Sequence, residues 1–115
     1  MNNWTVAQVA FRCERLSVRM EELAQNFGRI AALSANGMDA ETVLAIVQES
    51  KAYIELTAID LDVDRAFELA QIQRQLSRWH LHWLDIWASD TSRSEVSTLA
   101  QLWANRIREL AGIFV

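Results

Sequence analysis

His80 and His82, the two histidines of the chain, stand two residues apart beside the tryptophans Trp79 and Trp83. On a helix such a pair points about 200° apart, so the two imidazoles cannot share an ion, and no Cys or carboxylate completes a zinc-type spacing. His82 and Asp85, three apart, suit a surface pair instead. Asp60, Asp62 and Asp64 begin like a calcium loop, but Arg65 stands where the sharp bend needs Gly and Gln71 where a bidentate Glu is needed. Turn and helix-cap chemistry is the expectation for these aspartates. Trp79, Trp83 and Trp87, with Trp103 further on, could line a cage for a cationic ligand. Their four-residue spacing within an aliphatic face predicts a Trp-rich core. Cys13, the single cysteine, falls on an apolar helical line and reads as a small buried hydrophobe; one chain can form no disulfide. No metal or cofactor is expected.

Arg74 and His80, separated by five residues, resemble the Arg-x(4–6)-His signature of HEPN ribonucleases, small helical bundles that pair their active residues across a dimer. The resemblance covers seven residues and departs from the family at Gln75, where a small polar residue or His is usual. It implies that Arg74 would bind the scissile phosphate and His80 would move a proton. The all-α chorismate mutases, small intertwined dimers around a long first helix, hold two substrate carboxylates with a basic cluster that usually includes a lysine; Arg12, Arg15 and Arg19 are the residues that would take that role, and nothing else in the chain matches. Those arginines alternate with Glu14, Glu21 and Glu22, which reads as a solvated helix flank.

Charge narrows the partners. The net charge is −4, and residues 38–64 carry one Lys against seven acids while the other segments are near neutral. Such a balance argues against nucleic acid as a ligand and leaves open an acidic inhibitor that mimics nucleic acid on a basic partner, or a helical subunit of a nucleic-acid-handling complex. Charges interrupt every apolar run well short of a membrane span, and no basic region followed by an apolar stretch opens the chain. A cytoplasmic protein without membrane contact is expected.

The 115 residues contain no Pro and three Gly, and residues 38–111 have neither. That predicts a single domain, residues 1–115, of all-α class. The line Val6, Val9, Cys13, Leu16, Met20, Leu23, Phe27 and Ile30 steps four-three like a heptad seam. It predicts a first helix of roughly 30 residues, about 45 Å long, capped by Asn3 or Thr5 and ended by Asn36 and Gly37. Small positions along it, Ala10, Ser17, Ala24 and Ala31, are expected to face the tryptophans. Asp39 caps a second helix with Val43, Val47, Ile54 and Leu61 on one face, and the aspartates of residues 57–64 predict a turn, one continuous helix over residues 40–88 being the alternative. A third helix over residues 64–88 carries Leu69, Ile72, Leu76, Trp79, Trp83, Ile86 and Trp87 inward. Ser92 and Glu95 form a capping box for a fourth, whose line is Val96, Ala100, Trp103, Ile107, Leu110 and Phe114. The expected architecture is an elongated up-and-down four-helix bundle with a long first helix.

Trp4, Phe11 and Val18 recur every seven residues on the side of the first helix away from its seam. Leu81, Leu84 and Ala88 extend the apolar surface of the third helix beyond its core arc. Trp4, Phe11, Val18, Phe67, Leu81 and Leu84 are the six candidate partner-interface residues. They predict a non-enzymatic interaction or adaptor module that homodimerises or docks a protein partner, with a HEPN-like ribonuclease as the enzymatic alternative.

Overall fold

A computed structural model describes residues 4–114. The chain is all-helical: α1 Val6–Cys13, α2 Leu16–Asn36, α3 Ala40–Ala58, α4 Val63–Leu81, α5 Trp83–Trp87 and α6 Asp90–Ile113, with no strand among the described residues. Each helix end has a chemical cause. Thr5 opens α1 with a reciprocal box, its hydroxyl accepting from the Gln8 N–H while the Gln8 side chain accepts from the Thr5 N–H. Asn3, the other expected cap, lies outside the described residues. Gly37 ends α2 at φ 62°, where Met38 N–H reaches back to the Leu33 carbonyl. The positive φ favours glycine there, and a Cβ would lie 3.2 Å from Arg93 Nε, a contact that the arginine side chain would have to relieve. Asp39 and Asp62 cap α3 and α4 through their carboxylates, and the turn expected over residues 57–64 is present, which removes the continuous-helix alternative.

The long first helix is not formed. Glu14 and Arg15 are extended, at ψ 156° and 155°, and separate α1 from α2. Helix lengths supply the reason: α3, the partner that α1 contacts, has 19 residues, about 28 Å. A continuous 45 Å helix would push its first turns past the end of α3 into water. Breaking at Glu14 lets α1 fold back on α3, where Phe11 becomes buried and stacks on Tyr53 at 3.8 Å. The seam changes sides with the break. Met20, Leu23, Phe27 and Ile30 are core, but Val6 (88% exposed), Val9, Ala10 and Cys13 face water. Cys13 is therefore an exposed thiol and not a buried hydrophobe. Nor is the shape a rod: the described residues span 37 × 31 × 20 Å.

α2 and α6 run antiparallel in the most extensive contact of the molecule, with Ser97 Oγ donating to the Ala31 carbonyl at 2.7 Å near one end and Arg108 meeting Glu21 near the other. Buried Ala24 and Ala31 on α2 and Ala100, Ala104 and Ala111 on α6 let the backbones approach. The small residues of α2 thus serve the contact with α6, the helix that carries Trp103. α3 is antiparallel to α2, since Arg19 meets Leu56 and Asn26 meets Glu49, and α4 is antiparallel to α3, since Gln73 meets Glu55 and His80 meets Gln48. α4 and α6 stand wider apart, and Trp79 and Trp103 fill the gap with ring centroids 5.5 Å apart. The third expected helix bends at His82, so Trp83–Trp87 forms the separate α5. The bend lets the buried Trp83 donate its indole N–H to the Ala40 carbonyl at 3.1 Å. α6 begins one turn earlier than the capping box predicts, because Ser89, not Ser92, is the cap, its hydroxyl accepting from the Ser92 N–H.

Trp83 is core in this arrangement. Trp83→Ala is expected to cost about 3–5 kcal/mol in urea unfolding; a loss below about 1 kcal/mol would mean that the ring is not packed.

Candidate partner interface

The aspartates of the α3–α4 turn are structural anchors. Asp60 accepts from Arg19 at 2.8 Å and from Arg12 at 3.2 Å, tying α1 and α2 to the end of α3. Arg19 is buried and donates also to the Leu56 carbonyl at 2.7 Å. The Arg19 hydrogen bond first, and the charges of Arg12 and Arg19 after it, hold the Asp60 carboxyl below its ordinary range. Asp62 caps α4 and pairs with Arg65 at 2.9 Å. Arginines brought from other elements therefore offset part of the acidic block. Beside this junction, burial and then the charges of Glu14 and Glu49 push Glu22 up, and burial with Glu49 and Glu22 does the same to Tyr53.

The residues that suggested chemistry do not converge. His80 turns toward α3, with Nε2 3.1 Å from the Gln48 amide and Nδ1 3.5 Å from Lys51 Nζ. The Gln48 atom nearest the ring is its amide nitrogen Nε2, so Gln48 and Lys51 both present donors, and the neutral imidazole, with one lone pair, accepts from one of them at a time. Arg74 lies on the exposed side of α4, about 120° around the helix from His80, so the two do not share a phosphate-sized site within one chain. Among the described residues no three His, Cys, Asp or Glu side chains are grouped to hold a metal ion. Of the three arginines compared with a carboxylate-binding cluster, Arg12 and Arg19 are committed to Asp60 and Arg15 is exposed at the start of α2.

The wide α4–α6 side opens into a cleft of about 640 Å³ with Ile72 and Trp103 at its base. At one end Arg106 is bound through Nε and Nη2 to both oxygens of Glu68, at 2.6 and 2.9 Å. That bond lowers the Glu68 pKa and raises that of Arg106. The cation is thereby occupied, and the cleft offers an anion no free charge at that end.

The outward side of α4 is different. Val63, Phe67, Ala70, Arg74, Ser77 and Leu81 step four-three-four-three-four, within about 80° of arc, on the side opposite the core line of Leu69, Ile72, Leu76 and Trp79. Val63 is 83% exposed, Phe67 63% and Leu81 78%. Single exposed apolar residues are ordinary on any surface; three large ones at heptad spacing form a line of the kind that a second helix covers.

The six expected interface residues separate accordingly. Phe67 and Leu81 lie on this line, and Leu84 is exposed just beyond it on α5. Trp4 is partly exposed with the Arg12 guanidinium 5.7 Å from its ring centroid. Phe11 and Val18 do not point away from the protein: Phe11 is covered by Tyr53, and Val18 is half-buried. Val63 was missed, although its four-residue step to Phe67 is visible in the sequence. Comparison of the chain with family models, with curated proteins and with solved structures gives no match. No helix of the described residues is long and apolar enough to cross a membrane.

Asp60 supplies a pH-dependent anchor. Its folded pKa lies below the ordinary value of 3.8, so its contribution is complete above about pH 4 and is lost as pH falls through the lowered folded value. Asp60→Asn is expected to cost about 2 kcal/mol at pH 7, less than for a fully buried pair because Asp60 is partly exposed. In urea unfolding the gap to wild type should narrow toward pH 2; an unchanged gap would show that Asp60 acts by shape and not by charge.

Proposed function

We propose that this protein is a non-enzymatic helical module that works by self-association, its four long helices acting as an up-and-down bundle that presents the outward side of α4 to a second copy. The observation that carries the reading is the row of Val63, Phe67 and Leu81, large, exposed and in heptad register on a helix whose opposite side already fills the core. The exposed side of α1, with Val6 and Val9, is a lesser surface that a further protein partner would cover. An adaptor role follows from having two such faces. A free, exposed Cys13 suits a reducing compartment and so a cytoplasmic setting.

The ribonuclease alternative gains little, because Arg74 and His80 diverge and His80 is engaged with Lys51 and Gln48. A nucleic-acid mimic is weakened by the arginines bound to Asp60 and Asp62.

Sedimentation velocity tests the proposal. Wild type is expected to sediment as a dimer at micromolar concentration and Phe67→Glu as a monomer. Because Phe67 is exposed within one copy, the variant's stability should stay within about 0.5 kcal/mol of wild type when both are measured below the dimer range. A wild-type monomer at high concentration, or a Phe67→Glu protein that remains dimeric, would overturn it.

A further inference from the structure

We infer that two copies pair through α4 in antiparallel orientation, about a two-fold axis level with Ile72, a geometry that rests on the self-association proposed above. In that register Val63 meets Leu81 of the partner subunit, Phe67 meets the partner's Ser77, and Ala70 meets the partner's Arg74. Each pairing sets a larger side chain against a smaller one, and the Arg74 stem lies over a methyl group with its guanidinium free to reach water. Parallel pairing would stack Arg74 on the partner's Arg74 and Phe67 on the partner's Phe67, placing like charges inside the seam.

Charge selects the same orientation. Asp64 and Arg78 flank the line on the α6 side, both exposed, and among the described residues neither forms an ion pair. In an antiparallel pair flanking positions on the same side face one another, which brings Asp64 to the partner's Arg78 and, by symmetry, Arg78 to the partner's Asp64. Gln71 then meets the partner's Gln71 near the axis, a neutral amide pair that costs no charge repulsion. Parallel pairing instead sets Arg78 beside the partner's Gln73 and leaves Asp64 without a cation. The contact is isologous, so it closes at two copies and does not propagate.

Charge reversal and cross-linking test the geometry, with folding checked by circular dichroism. Asp64→Arg alone and Arg78→Asp alone should each raise the dimer dissociation constant at least about tenfold, since both symmetric pairs become repulsive. The double reversal, Asp64→Arg with Arg78→Asp, should restore most of the affinity. In a Cys13→Ser background, a mixture of Val63→Cys and Leu81→Cys proteins should oxidise to the mixed dimer, while neither alone cross-links. Cross-linking of Val63→Cys to itself would establish parallel pairing and overturn the inference. A wild-type dimer with no mixed cross-link and no response to charge reversal would overturn this geometry and leave self-association standing through another face. A wild-type monomer would remove both.

Discussion

α4 carries apolar lines on two opposite sides of one cylinder, and the chain's own helices bury only one of them. Leu69, Ile72, Leu76 and Trp79 close the core, and they do so with α3 on one flank and α6 on the other. Val63, Phe67 and Leu81 then have no position inside the molecule. The rest of the arrangement follows from how the core line is satisfied: the tryptophans hold α6 away from α4, and the same spacing leaves the α4–α6 cleft open. α2 and α6 make the compensating close contact through alanines.

The second constraint is length. α2 fits alongside α3 and α6, but residues before Glu14 have no neighbour on that axis and fold back. The fold-back is secured by one apolar contact, Phe11 on Tyr53, and by one carboxylate, Asp60, that receives arginines from α1 and α2. Arg19 would otherwise be a buried guanidinium with only a backbone carbonyl for company. The turn aspartates that resemble a metal loop in sequence are instead the place where three helices are pinned together.

Much of this is legible in the residues. The core line of α4, the line of α6 from Val96 to Phe114, the Asn36–Gly37 stop and the turn before Asp64 all follow from periodicity and cap chemistry, because those signals are local. The break at Glu14 was not legible, since neither Gly nor Pro marks it and its cause is the length of a helix that comes later in the chain. Its trace was nevertheless present: one segment bearing two apolar faces, Trp4, Phe11 and Val18 against Val6, Val9 and Cys13, changes its buried side partway along. Reading that doubling as one straight helix with two partners assigned Phe11 to the outside. The same doubling on α4 has a different meaning, because there the helix is unbroken and the outward line keeps one register, with large apolar residues at its two ends, Val63 and Phe67 at one and Leu81 at the other, and Ala70, Arg74 and Ser77 between.

On the proposed pairing, the outward side of α4 is buried between copies. Hydroxyl-radical labelling read by mass spectrometry, across a dilution series, measures that burial residue by residue. Phe67 and Leu81 are expected to lose reactivity as concentration rises through the dimer range, while Met38 and Leu102, comparably exposed at 59% and 60%, stay unchanged. Reactivity of Phe67 and Leu81 that does not vary with concentration, in a sample that sedimentation shows to be associating, would contradict the account.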